Sequence, residues 1–183
     1  MRKWFLLLIV CTLFSPIVLA EETEPVTPTL PAPFVLEIFP QDRLFTVYSG
    51  PDKIYLIGAN GKAKVSTNDV IRCYGKVNDT WLMVEYEIGE NRSRIGYINA
   101  KAQEPLIASF PALVFDDQPV QLDGRVDLTD DPWVSRQKLG AVSGEATLLA
   151  YLQTNWAYIE TTLGNETVRG FVRPDALVLP SAE

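Results

Sequence analysis

Carboxylates are the side chains of this sequence that come closest to forming a chemical site. Asp127, Asp130 and Asp131 lie within five residues and offer oxygen ligands of the kind that calcium prefers. The stretch lacks the Asp-x-Asp-x-Asp-Gly loop and the distal bidentate Glu of a calcium site. Asp130-Asp131-Pro132 is instead typical of a turn in which side chains accept hydrogen bonds from their own backbone. We therefore expect a solvated turn here, with neither a metal site nor any other cofactor.

Catalytic chemistry is limited by the residue types that are present. The chain contains no histidine, which excludes Ser-His-Asp and Cys-His catalysis and histidine-ligated metal sites. Glycoside hydrolysis needs two opposed carboxylates across a cleft, whereas pairs such as Glu85 and Glu87 are typical of strand edges. Cys73 alternates with apolar neighbours, so we expect a small buried side chain and not a reactive thiol. The sequence thus predicts no catalytic residues and no enzymatic activity.

Aromatic residues recur at repeated positions and are the remaining candidates for ligand binding. Thr80-Trp81-Leu82-Met83-Val84 is followed by a polar turn and then by Arg94-Ile95-Gly96-Tyr97-Ile98. Asn155-Trp156-Ala157-Tyr158-Ile159 is likewise followed by a polar turn and by Arg169-Gly170-Phe171-Val172. A Trp-led strand, a turn and a Gly-aromatic strand, used twice, predict one small β module that has been duplicated.

Strand alternation assigns faces to the Trp-led strands, because successive side chains point to opposite sides of a sheet. In the first copy Trp81 shares a face with Glu85, whose charge indicates that this face is nearer the solvent. Leu82 and Val84 are then predicted to lie in the core. The second copy follows the same pattern, with Trp156, Tyr158 and Glu160 on the outer face and Ala157 and Ile159 in the core. An outer tryptophan can anchor a ligand, or it can be buried under the loop that precedes the central strand of its copy. The sequence leaves both alternatives open.

The chain divides into a leader, a linker and two β domains. Residues 1–20 have a basic start, an apolar run and a Val18-Leu19-Ala20 exit, which is typical of a signal peptide cleaved after Ala20. Retention as a membrane anchor is the alternative, although the run is shorter than the roughly 20 residues that a span needs. Residues 21–33 form a Pro- and Glu-rich linker, followed by domains at 34–104 and 105–183. We expect a secreted or extracytoplasmic protein with no membrane insertion after cleavage.

The two predicted domains align along their length. Residues 33–36 match 112–115, residues 47–51 match 128–132, and residues 70–74 match 147–151, ahead of the Trp-led strands. The first domain carries a longer insert at 53–64. Short β-branched and aromatic runs between closely spaced turns favour an all-β fold made of small barrels.

The order of these motifs resembles the bacterial SH3 (SH3b) family, in tandem. Val47 to Asp52, Trp81 to Val84 and Gly96 to Ile98 carry the resemblance in the first copy. Leu128 to Pro132, Leu139-Gly140, Trp156 to Ile159 and Gly170 to Val172 carry it in the second, with Asp130-Asp131 where the family favours Ser-Gly. The resemblance implies two tandem SH3-like, five-stranded, partly open β-barrels. It also implies a ligand-binding or scaffolding role, commonly in the cell envelope.

The negative charge of the second half argues against some classes of binding partner. The formal net charge is −7, and residues 105–183 hold 5 Lys and Arg against 11 Asp and Glu. This acidic half repels phosphate backbones, so we expect no nucleic-acid partner. We predict a binding module for a cell-wall peptide or an extended segment of an envelope protein, with no preference among oligomeric states. The predicted ligand-binding residues are Tyr48, Trp81, Tyr97, Trp133, Trp156 and Phe171.

A structural role is the alternative prediction. In that case the two barrels pack tightly, no wall material is bound, and the acidic second domain docks on a basic protein partner.

The linker also has two interpretations, because Pro25-Val26-Thr27-Pro28 and Pro28-Thr29-Leu30-Pro31 both have P-x-x-P spacing. It is either a spacer, or a segment in which residues 25–31 transiently occupy the groove of the first copy near Tyr48 and Trp81.

Overall fold

The computed structural model describes residues 27–37, 39, 42–57, 63–89, 92–133, 138–152 and 155–179, and the predicted signal peptide lies outside these ranges. The strands are β1 (Phe34–Val35), β2 (Leu44–Tyr48), β3 (Lys64–Ser66), β4 (Ile71–Lys76), β5 (Trp81–Gly89), β6 (Arg92–Asn99), β7 (Gln118–Thr129), β8 (Lys138–Leu152), β9 (Trp156–Leu163), β10 (Glu166–Val172) and β11 (Leu177–Val178). Short 3₁₀ turns at Lys101–Gln103 and Pro174–Ala176 and one helix, α1 (Glu104–Ile107), complete the regular elements of these ranges. None of the helices there has the length and hydropathy of a membrane span. The predicted all-β class is confirmed.

Two antiparallel sheets form two small barrel-like units. The first sheet has the order β1-β4-β5-β6-β2-β3, and the second has the order β10-β9-β8-β7-β11 with an additional β10–β7 pairing that closes it. Each sheet curls around its own apolar cluster, one built from the first half of the chain and one mainly from the second. The predicted core residues Leu82, Val84, Ala157 and Ile159 are all fully buried, as expected from strand alternation.

Strand register supports the predicted duplication. In the first sheet Val84 pairs with Gly96, and in the second Ile159 pairs with Gly170. The strand before each Trp-led strand also has an irregularity at the same place, between Cys73 and Gly75 in β4 and after Leu148 in β8. Even the 3₁₀ turn that follows β6 has a counterpart after β10. The two halves therefore repeat the same hairpins in the same register.

The same registers correct two of the predicted alignments. Cys73 and Leu148 occupy equivalent positions, and their partners on the other side are Phe34 and Gln118. Phe34 is thus equivalent to Gln118, so the predicted match of residues 33–36 with 112–115 is wrong. The match of residues 70–74 with 147–151 is displaced by two residues. A shift of two keeps every side chain on the same face, and a hydrophobic pattern cannot detect it.

A third apolar cluster lies between the two sheets and joins them. It contains Trp81, Met83 and Tyr97 from the first half and Tyr158 and Phe171 from the second. The outer faces of the two Trp-led strands therefore pack against each other at Trp81, Met83 and Tyr158, and the prediction that they lean towards solvent is wrong for these residues, whereas Trp156 is half-buried. The exposed fraction of Trp81 is 5% and that of Tyr97 is 0%.

The charge of Glu85 led to the prediction that its face of β5 lies nearer the solvent. The surroundings of Glu85 explain why this prediction is wrong. Arg72 Nη1 lies 3.3 Å from Glu85 Oε1, and the Tyr74 hydroxyl donates to Glu85 Oε2 over 3.3 Å. Glu85 is consequently buried with its charge compensated by its neighbours. A carboxylate with such partners does not mark a solvent-facing surface.

Short segments that precede the two sheets cross over and pair with the opposite half. Before the second sheet, Leu113 N–H donates to Lys76 O over 2.8 Å and Lys76 N–H donates to Pro111 O over 2.9 Å. Before the first sheet, residues 28–30 make the same contacts with Tyr151, at 2.7 and 2.8 Å. Residues 28–30 are thus part of the fold and not a spacer. The hypothesis that this stretch occupies a groove of the first copy is also wrong for these residues, because their backbone partner is in the second half.

Candidate ligand-binding groove

An open groove in the second half contains two of the six predicted aromatic residues. Its volume is about 730 Å³, and Trp133 and Trp156 both line it. Both indoles are half-buried, so part of each ring is accessible. Pro132 and Val172 supply apolar wall, while Asp127, Lys138, Arg173 and Asp175 supply charged lining. We call this feature the tryptophan groove.

Trp133 is positioned by the turn that follows β7. The Thr129 hydroxyl donates to Asp131 O over 2.7 Å, and Trp133 N–H donates to Asp131 Oδ1 over 3.1 Å. These bonds fix the turn, and a proline at residue 132 restricts its backbone further.

The predicted side-chain to backbone bond is therefore present at Asp131. The expectation of a solvated turn is wrong, because Asp130 and Asp131 are buried where the turn meets the first half.

Trp156 is positioned by the start of β9 and by a cationic neighbour. It pairs with Leu152 of β8, so its backbone belongs to the sheet. Arg173 lies directly after β10, and its guanidinium carbon is 4.2 Å from the centroid of the Trp156 ring. Such a cation–π contact restrains the indole. Asp127 and Lys138 form an ion pair at the groove, and with Asp175 and Arg173 they give a charge-balanced lining.

The other four predicted site residues lie in or beside the cluster between the halves. Tyr48 is half-buried, and its ring meets that of Trp81 edge-on at 5.5 Å. The Tyr158 hydroxyl donates to the Tyr97 hydroxyl over 2.9 Å, and the Phe171 ring lies 4.7 Å from that of Tyr158. Trp81, Tyr97 and Phe171 are buried, so their rings offer no surface to a ligand. The structure therefore brings together only Trp133 and Trp156 in an open groove.

The equivalent position in the first half is built from different residues. Trp81 is the counterpart of Trp156, and Tyr48, which covers it, is the counterpart of Thr129. Proline occurs in both turns, but it is followed by Asp52 in the first half and by Trp133 in the second. In the first half a tyrosine therefore packs on the tryptophan, and an aspartate occupies the sequence position of the second indole.

Three of the four charged groups of the tryptophan groove were not predicted from the sequence. Lys138, Arg173 and Asp175 come from the ends of separate strands and from a 3₁₀ turn. They meet only when the second sheet closes, and no local spacing indicates that they will converge. The aromatic residues were detectable because tryptophan at a repeated strand start is itself a signal.

A second groove, of about 750 Å³, is lined by residues of β7, β8, β9 and β10 and provides a comparison. It is lined by threonines, by Glu145 and Glu160, and by the exposed Val178 and Leu179, without an aromatic ring. Glu160 is already engaged, since Arg169 Nε lies 2.7 Å from its Oε2 atom. A polar surface of this kind lacks a rigid anchor, and the tryptophan groove is the better candidate.

Comparisons with known proteins add no constraint. No protein-family model, no curated protein and no solved structure matches this chain.

Proposed function

We propose that this protein is an exported, non-enzymatic binding protein of the SH3b type whose tryptophan groove binds an extended peptide. The ligand is a cell-wall peptide or an extended segment of an envelope protein. The observation that carries the proposal is the convergence of Trp133 and Trp156 on one open groove. Large rigid aromatic rings dominate binding energy at many interfaces, and aromatic-lined grooves accept extended and proline-containing peptides.

The charges around the groove support a peptide over a charged polymer. Two carboxylates and two cationic side chains line it, so neither sign dominates. A peptide offers backbone donors and acceptors that these groups can bind, together with side chains that stack on the indoles. A polyanion would gain little here, because long-range attraction requires an excess of positive charge.

Retention on purified peptidoglycan sacculi tests the proposal. We expect Trp156→Ala to weaken binding by roughly 2 kcal/mol, about thirtyfold, because it removes a central aromatic anchor. Trp133→Ala should have a comparable effect, and this residue is outside the sheets. Thr162→Ala, in the second groove, is the matched control and should bind like the wild type. Equal retention of all four proteins, with unchanged circular dichroism, would contradict a role for the tryptophan groove.

A scaffolding role is the second candidate, and the tight packing of the halves favours it. The two sheets share an apolar cluster, and Tyr55 of the first half donates to Glu160 Oε2 over 2.7 Å. A rigid body of this kind, acidic in its second half, would dock on a basic protein. Capture of such a partner would be lost at 1 M salt, where the Debye length falls to about 3 Å. Capture that survives this salt favours the tryptophan groove instead.

A further inference from the structure

The two crossing segments share a sequence pattern as well as a position. Pro28-Thr29-Leu30 and Pro111-Ala112-Leu113 are both Pro-x-Leu, and each makes the same pair of backbone hydrogen bonds. Their partners, Tyr151 and Lys76, are equivalent residues, because Tyr151 pairs with Ala157 and Lys76 pairs with Leu82 at matching positions of the Trp-led strands. One kind of peptide is thus bound twice, in the same way, by two copies of one strand end.

The end of β8 explains why a peptide fits there. β7 pairs with β8 only as far as Leu148, whereas β8 continues to Leu152. The N–H and C=O groups of Tyr151 on that side would be unpaired without residues 28–30, and an open strand edge is a template for an added strand. Thr29 forms a parallel bridge with Tyr151 and so extends the sheet by one short strand.

The side chains of the segment complete the recognition. Leu30 is 2% exposed and belongs to the cluster between the halves. Thr27 Oγ1 donates to Asp116 Oδ2 over 2.9 Å, which anchors the segment on its other side. Pro28 contributes a carbonyl and has no N–H group to satisfy, and Pro31 keeps Leu30 in an extended conformation.

We propose that the end of β8 at Tyr151 is a binding slot for extended Pro-x-Leu peptides, and that residues 28–30 of this chain occupy it. The slot is separate from the tryptophan groove and does not depend on the function proposed for that groove. Its external ligand is a protein segment that carries Pro-x-Leu and that competes with the chain's own segment. Competition is feasible because the segment is held by two backbone bonds, the Thr27 side chain and one buried leucine, and it joins β1 through residues 31–33.

Leu30→Asp tests the slot, because a carboxylate in the buried leucine site expels the chain's own segment. The probe is a fluorescent synthetic peptide with the sequence of residues 24–33, titrated into the purified protein. We expect saturable binding to the variant and binding about tenfold weaker to the wild type, in which a tethered segment competes at an effective concentration of millimolar order. Val114→Asp, at a residue that is 70% exposed, is the matched control and should behave like the wild type. A peptide carrying Asp in place of leucine should not bind.

Either of two results for the single variant would overturn the proposal. The first is a folded Leu30→Asp protein that does not bind the peptide, and the second is equal affinity for variant and wild type. If Leu30→Asp does not fold, Leu30→Ala removes the same apolar contact without adding charge, and the same two criteria apply to it. Adding Trp156→Ala to the variant separates the two sites: peptide binding that persists in the double variant belongs to the slot, and binding that disappears belongs to the tryptophan groove.

Discussion

Asp130 is a carboxylate buried between the two halves, where two electrostatic effects oppose each other. Arg94 Nε lies 3.2 Å from Asp130 Oδ2, and this attraction favours the ionised carboxylate. Asp130 Oδ1 has no hydrogen-bond partner among the described residues, and the neighbouring carboxylate of Asp131 disfavours a second negative charge. Burial is the largest effect, and it raises the pKa of Asp130 to about 7 against the pull of Arg94. The Tyr86 phenol, whose own pKa burial raises to about 12, faces the same group.

The consequence for stability follows from proton linkage. A carboxylate with a pKa of about 7 in the folded chain and about 3.9 in the unfolded chain binds its proton more tightly when folded. Its contribution to stability is therefore complete below about pH 4 and is lost as the pH rises through about 7. Three pKa units at about 1.4 kcal/mol each correspond to about 4 kcal/mol.

Asp130→Asn measures this contribution, because asparagine has a similar shape and does not titrate. We expect the free energy of unfolding of the wild type, relative to that of the variant, to fall by about 4 kcal/mol between pH 4 and pH 8. Urea denaturation of both proteins across this range provides the measurement. Asp123→Asn removes one exposed carboxylate and controls for the change in net charge. If the wild type instead gains stability relative to the variant as the pH rises, the attraction of Arg94 outweighs burial and the reasoning is refuted.

Two further predictions concern β4. Gly75→Ala should lower the free energy of unfolding by about 2 kcal/mol, because the new methyl group would lie 2.6 Å from Pro111 O in the crossing segment at a φ of +152°. Gly124→Ala, which also has a positive φ but no atom within 4 Å, is the matched control in the same urea assay, and an equal loss in both would contradict the steric argument. Cys73 is buried, and burial raises the pKa of its thiol to about 12, so iodoacetamide at pH 8 should alkylate it only after unfolding. Mass spectrometry of the Cys73 peptide provides the readout, and rapid modification of the native protein would show that the thiol is accessible.

The elements of the fold were largely predictable because they depend on local patterns. Alternation in the Trp-led strands placed Leu82 and Val84 in one core and Ala157 and Ile159 in the other, and all four are buried there. The turn residues and the repeated Gly-aromatic strands gave the duplicated hairpin. Register between strands was less accessible, because a two-residue shift preserves the apolar pattern, and the match of residues 70–74 failed for that reason.

The contact between the halves was not predictable from local patterns. A face that carries a glutamate four residues after its tryptophan has the pattern of a solvent-facing surface, and only the fold supplies the partners that allow it to be buried. Arg72 neutralises Glu85 from the adjacent strand, and Arg169 neutralises Glu160 in the same way. The pairing of the crossing segments was not predicted for a related reason. Pro28-Thr29-Leu30 has the composition of a linker, and its pairing partner is more than a hundred residues away.

Packing between the two halves also explains why Trp81 is buried whereas its counterpart Trp156 lines an open groove. A barrel of roughly 70 residues buries little apolar surface by itself, so packing two of them face to face adds a core that neither has alone. That core uses the equivalent rings of Tyr97 and Phe171 and takes in Trp81, over which Tyr48 closes. In the second half the residue equivalent to Tyr48 is Thr129, whose hydroxyl holds the turn that presents Trp133. The same duplicated position therefore contributes to the core in one copy and remains half-buried in the other, where Trp156 lines the groove together with Trp133.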